Sequence, residues 1–152
     1  MERDYFLFKT HISFGIKTDE IEPDIITKEL SVEPNRFFKK GDVFTSKFSP
    51  RIGHREWNIW AVDSEWTILK EETVNHHIEY FKKILLPKAN ILKKYKEDNR
   101  FEVSFWIWIE TDNAGFGLDL DERDMTFLND FSNRVHISLL TNTVLEYNET
   151  TS

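Results

Sequence analysis

Residues Arg100 to Glu110 alternate without a break, and this segment constrains the fold more than any other part of the chain. Phe101, Val103, Phe105, Ile107 and Ile109 fall on one side, and Glu102, Ser104, Trp106, Trp108 and Glu110 on the other. A period of two over this length specifies a strand with one face turned to a core. Tyr5 to Lys17 repeats the pattern, with Phe6, Phe8, Ile12, Phe14 and Ile16 opposed by Lys9, His11, Ser13, Gly15 and Lys17. Glu56 to Val62 is a further strand, with Trp57, Ile59 and Ala61 on one side and Asn58, Trp60 and Val62 on the other. Strands with a single apolar face need a second layer to cover it.

That layer is also written in the sequence. Val74, Ile78, Phe81, Leu85, Ala89 and Leu92 recur at helical spacing, and Pro87 interrupts them. The expectation is a helix to about Leu86, a break, and a second helix to about Lys96. Thr18-Asp19 opens an earlier helix with Pro23 in its first turn, Ile25, Ile26 and Leu30 on its apolar face, and Pro34 past its end. Asn35 to Phe44 reads as a turn and a short strand, and Ser46 to His54, with Pro50 and Gly53, as a loop. Asp112 to Gly115 reads as a turn and Phe116 to Leu120 as a short strand. Asp121 caps a helix carrying Met125, Leu128 and Phe131, Val135 to Leu140 forms the last strand, and a frayed tail follows from Thr141. The segments Phe14 to Asp19 and Ile107 to Asp112 resemble each other, which suggests two related strand–helix–strand units or a chance similarity. The predicted fold is an α+β two-layer sandwich: a mainly antiparallel sheet with helices on one face, ferredoxin-like with an extra strand–helix–strand unit. A single domain over 1–152, with its ordered core at about 5–140, suits a chain of 152 residues.

Composition excludes several function classes. The absence of cysteine removes disulfides, thiolate metal sites and a cysteine nucleophile. Met1 to Tyr5 is charged and lacks the apolar stretch of a signal peptide, and the apolar run Phe105 to Ile109 falls far short of the ~20 residues that span a bilayer. A cytoplasmic protein of bacterial type, outside the membrane, is the expectation. The formal net charge of −7 disfavours nucleic acid and mildly favours a basic protein partner. The lysines at 82, 83, 88, 93, 94 and 96 lie opposite a helical apolar face and read as a solvated surface.

No constellation for chemistry emerges. His76 and His77 are adjacent on a helix and diverge by about 100°, too far to share a metal readily. Asp119, Asp121, Glu122 and Asp124 fail the calcium-loop pattern, and anions at a helix start are explained by its dipole. There is no phosphate-cradling glycine loop and no nucleophile elbow. No catalytic residue, metal or cofactor is therefore assigned, and enzymatic activity is the less favoured reading. The aromatic residues remain: 13 Phe, 5 Trp and 4 Tyr. If helices cover the Phe101 face, Trp106 and Trp108 stand on the open face. His11, Ser13 and Lys9 join them there, as does Trp60 if Trp57 and Ile59 point inward. An exposed patch of this kind usually marks a contact surface. It could be covered by the 46–54 loop or the C-terminal tail, pair with a second copy, or bind a different partner or ligand.

Several features occur in a familiar order: Ile12 to Ile16 on the first strand, Glu22-Pro-Asp-Ile-Ile-Thr27, Val32-Glu-Pro34, Lys40-Gly41-Asp42, Trp57, Leu85-Leu86-Pro87, and an acidic helix before the last strand. Together, over residues 5 to 140, they resemble the bacterial family catalogued as domain of unknown function 4279. Val135 to Leu139 departs from it in lacking an acidic-plus-tyrosine ending. The resemblance brings no catalytic residues, because that family has no established activity. Three function classes follow. The first is a non-catalytic binding module, of which an immunity-type protein neutralising a basic toxin is one version. The second is an enzyme with a small-molecule pocket on the open sheet face, and the third a structural homodimer.

Overall fold

A computed structural model of the chain describes residues 8–46, 49–65, 67–69, 74–112 and 117–141. The predicted positions Tyr5 to Leu7, Asn113 to Phe116 and the tail from 142 lie outside them. The two long alternating segments form β1 (Phe8–Thr18) and β7 (Phe101–Thr111). They pair antiparallel over their full length, from Phe8 opposite Thr111 to Thr18 opposite Phe101. This register places Ile12, Phe14 and Ile16 beside Ile107, Phe105 and Val103, so like faces coincide and a continuous apolar surface results.

β5 (Asn58–Asp63) pairs antiparallel with the other edge of β1, and β2 (Arg36–Phe38) pairs antiparallel with β5. β8 (Arg134–Thr141) lies parallel to β7, giving the order β2-β5-β1-β7-β8. A short β6 (Thr67–Leu69) also pairs with β1. The sheet is thus mainly antiparallel with one parallel edge. The Asn133 side chain pins the start of β8: it accepts from Val103 N at 3.0 Å and donates to Lys96 O at 3.0 Å, while its backbone donates to Val103 O.

The helices α1 (Pro23–Leu30), α2 (Asn75–Leu85), α3 (Ala89–Glu97) and α4 (Glu122–Phe131) cover one face. A 3-10 turn over Leu86–Lys88 separates α2 from α3 at Pro87, which has no N–H to continue the helical ladder. Phe81 of α2 and Phe127 of α4 meet Phe105 at 5.8 and 5.7 Å between ring centroids, and Phe14 meets Phe105 at 5.0 Å. The Asp121 side chain caps α4 by accepting from Asp124 N, as expected. Asp124 itself is buried and paired with Lys82.

Several readings of the elements need correction. The first helix starts at Pro23, and Thr18 ends a strand. Gly117 to Leu120 is not a strand. Ser46 to His54 is largely strand: β3 (Val43–Ser46) and β4 (Ser49–His54) form a separate hairpin. Gly53 lies opposite Phe44, whose ring fills the space that a glycine Cβ would occupy, so the glycine that suggested a loop is a packing site. In α4, Met125 points outward and Phe127 takes the inward position.

Candidate functional site

Alternation assigns each strand residue to one of two faces, and pairing then brings those faces into line. On the helix-free side, β7 presents Glu102, Ser104, Trp106, Trp108 and Glu110, and β1 presents Lys9, His11, Ser13, Gly15 and Lys17. Register adds Ile59, Ala61 and Asp63 from β5, Arg36 and Phe38 from β2, and Arg134, His136, Ser138 and Leu140 from β8.

The aromatic rings on this face form a row. His11 stacks on Trp108 at 6.0 Å with planes 7° apart, Trp108 on Trp106 at 5.5 Å, and Trp106 lies 3.9 Å from His136. Each indole leans toward small neighbours and is held by its N–H: Trp106 Nε1 donates to Ser104 Oγ and Trp108 Nε1 to Ser13 Oγ, both at 3.2 Å. With their donors occupied and their faces partly stacked on one another and on the two histidines, the indoles offer mainly apolar ring carbon.

Next to the row is a cavity of about 300 Å³. The small residues Gly15, Ala61 and Ser104 line it together with the two indoles. Among the described residues, those lining it belong to strands of the large sheet. One polar side is closed on itself. Arg36 donates from Nε and Nη2 to the two oxygens of Asp63 at 2.8 and 2.9 Å, and Ser13 Oγ donates to the same carboxylate at 2.5 Å. Burial works to raise the Asp63 pKa, but the hydrogen bonds from Arg36 and Ser13 outweigh it and hold the carboxyl below its ordinary range. Burial lowers the His11 pKa, with Asp63 opposing, so the ring is neutral at pH 7.

The other polar end is loose. Lys17 Nζ and Arg134 Nη1 approach the same oxygen of Glu102 at 3.7 and 3.6 Å, beyond hydrogen-bond distance.

Of the residues singled out from sequence, the structure brings Trp106, Trp108, His11 and Ser13 together. Trp60 is not with them. It is fully buried on the helix side, edge-on to Phe14 at 6.4 Å, and donates from Nε1 to Thr27 Oγ1 of α1 at 3.0 Å. β5 therefore has the opposite orientation to the one assumed: Trp57 is the exposed tryptophan, with Lys17 over its ring. Sequence reasoning missed Arg36, Asp63 and Arg134, whose places depend on which strand pairs with which. Lys17, Gly15, Glu102 and Ser104 were legible as facing this side but carried no motif. His77 is buried on α2, its ring centroid 3.9 Å from that of His76. No group of acidic and histidine side chains among the described residues is arranged to hold a metal ion.

Fold and site together define an α+β two-layer domain whose sheet is helix-covered on one side and carries an aromatic row and a cavity on the other. The family model described as Domain of unknown function (DUF4279) matches residues 8–142, and the chain belongs to that family. No curated protein matches the chain. No solved structure matches it either. Among the described residues no helix is long and apolar enough to cross a membrane.

Proposed function

We propose that the protein is a non-catalytic binding domain, cytoplasmic in its bacterial cell, that engages its partner through the open sheet face. The observation that carries this reading is the pair Trp106 and Trp108, fixed by their own hydrogen bonds beside a cavity lined, among the described residues, by the sheet. Holding two indoles in one orientation reduces the entropy lost when they are contacted, as in rigid aromatic anchors at interfaces. The Ser13 hydroxyl donates to Asp63, a carboxylate held by Arg36 and so made a weaker base than an ordinary one.

The charges of this face bear on the partner. Lys9, Lys17, Arg36 and Arg134 outnumber Asp63, Glu102 and Glu110, while the whole chain carries −7. Neutralisation of a basic toxin, the other version of this reading, would draw on the acidic remainder of the chain rather than on these residues.

The test is thermal unfolding of the wild type and of a Trp106→Ala/Trp108→Ala variant. Each is mixed in turn with a small-molecule set and with the products of neighbouring genes, and sedimentation at micromolar concentration reports self-association. A partner that uses this face raises the midpoint of the wild type and leaves the variant unmoved. A partner that stabilises both equally, or turnover of any compound in the set, contradicts the proposal.

A further inference from the structure

Resting on that reading of the open face, we propose that the cavity binds a small molecule with a flat apolar body and one anionic group, such as an aromatic carboxylate. The ring would lie against Trp106 and Trp108, and the anion between Lys17 and Arg134.

Four observations lead to this class of ligand. The first is size: about 300 Å³ is at the lower end of small-molecule sites and holds one or two rings. The second is the commitment of the indole N–H groups to Ser104 and Ser13 and of part of each ring face to its neighbours in the row, so that what the two indoles turn to the cavity is apolar ring carbon, suited to a flat apolar group. The third is the internal pairing of Arg36 with Asp63, which makes that side of the cavity a closed, nearly neutral unit.

The fourth is the state of the Lys17–Glu102–Arg134 cluster. Two cations share one carboxylate oxygen at 3.7 and 3.6 Å, so the cluster carries one positive charge in excess and neither contact is a formed hydrogen bond. A ligand anion entering between them would gain charge-assisted bonds and balance the cluster. Spacing agrees. Glu102 and Trp106 lie four residues apart on β7, about 13 Å along a strand at ~3.3 Å per residue, and an aryl carboxylate can bridge the gap once both side chains lean inward.

The probes are 2-naphthoate, its neutral amide 2-naphthamide, and inorganic phosphate. Titrations are followed by calorimetry and by the indole N–H signals in two-dimensional NMR. The proposal expects 2-naphthoate to shift the Trp106 and Trp108 signals and to bind about tenfold more tightly than the amide at low salt, the order expected for a charged hydrogen bond. Lys17→Gln/Arg134→Gln should bring that ratio close to one while leaving the Trp106 response to the amide in place.

Equal binding of acid and amide at Trp106 overturns the anion inference and leaves the open face standing as the site. Acid-dependent shifts confined to other signals overturn both. Binding of phosphate alone as tightly as naphthoate removes the flat apolar part of the proposal, and no binding of any probe overturns it altogether.

Discussion

The same strands build two faces with opposite uses of aromatic residues. On the helix side, Trp60 is fully buried, its ring edge-on to Phe14 and its N–H bonded to Thr27 of α1. On the open side, Trp106 and Trp108 are also hydrogen-bonded, but their partners Ser104 and Ser13 are neighbours within the sheet itself. Trp60 therefore ties two layers together, while the other two are held, among the described residues, by contacts within the sheet. A tryptophan fixed by its own sheet and left half-buried contributes less to stability than one that joins layers, and it is available for contact.

The sharpest way to break this comparison is to truncate each ring. Trp60→Ala should cost about 3–5 kcal/mol in urea unfolding, since it empties a core site and removes the hydrogen bond that joins β5 to α1. Trp106→Ala should cost about 1 kcal/mol or less. Equal losses would mean that the open face is a second core.

The histidines extend the comparison. Burial, with contributions from His76 and His11, lowers the His77 pKa to about 4, against a partial opposing effect from its backbone hydrogen bond with Thr10. The folded state thus resists protonation of a ring that the unfolded chain protonates near 6.5. Stability is full above that value and falls as pH drops from about 6.5 to about 4, by up to ~1.4 kcal/mol per pH unit. Denaturant unfolding at pH 7, 6, 5 and 4 should show this slope in the wild type and a much shallower one in His77→Phe. Unchanged slopes would remove His77 as its source.

The pattern of successes and misses in the sequence reading has a physical basis. Period two in β1 and β7 identified both faces of the sheet and placed Trp106 and Trp108 correctly. It could not decide orientation for β5, because Trp57 and Trp60 are equally apolar in sequence. The hydrogen bond to Thr27, contributed by a helix more than thirty residues away, settles it. β4 was hidden because Pro50 and Gly53 suggest a loop, while the Phe44 ring that compensates for Gly53 lies on the facing strand. Of the site, His11, Trp106 and Trp108 of the aromatic row were legible and His136 was not. The Arg36–Asp63 pair and Arg134 were not, since their places follow from β2–β5 and β7–β8 pairing, which no local pattern encodes.

Smaller effects sharpen the account of the open face. Asp63→Asn should cost about 0.5–1 kcal/mol, the pair with Arg36 being partly solvated, and should free Arg36 toward the cavity. Chemical unfolding gives the cost, and a rise in naphthoate affinity would report the freed guanidinium. Gly15→Ala should change stability by no more than about 0.5 kcal/mol. Its new Cβ would meet Ser104 Oγ at 3.7 Å and Trp60 O at 3.9 Å, both ordinary contacts. The same methyl narrows the cavity, so weaker probe binding with unchanged stability is the expected signature.

The most direct test of the central claim is to measure unfolding free energy and 2-naphthoate binding on one protein, the Trp106→Ala/Trp108→Ala variant. The account predicts that binding is lost while stability falls by no more than about 2 kcal/mol. Retained binding, or a stability loss as large as that of Trp60→Ala, would contradict it.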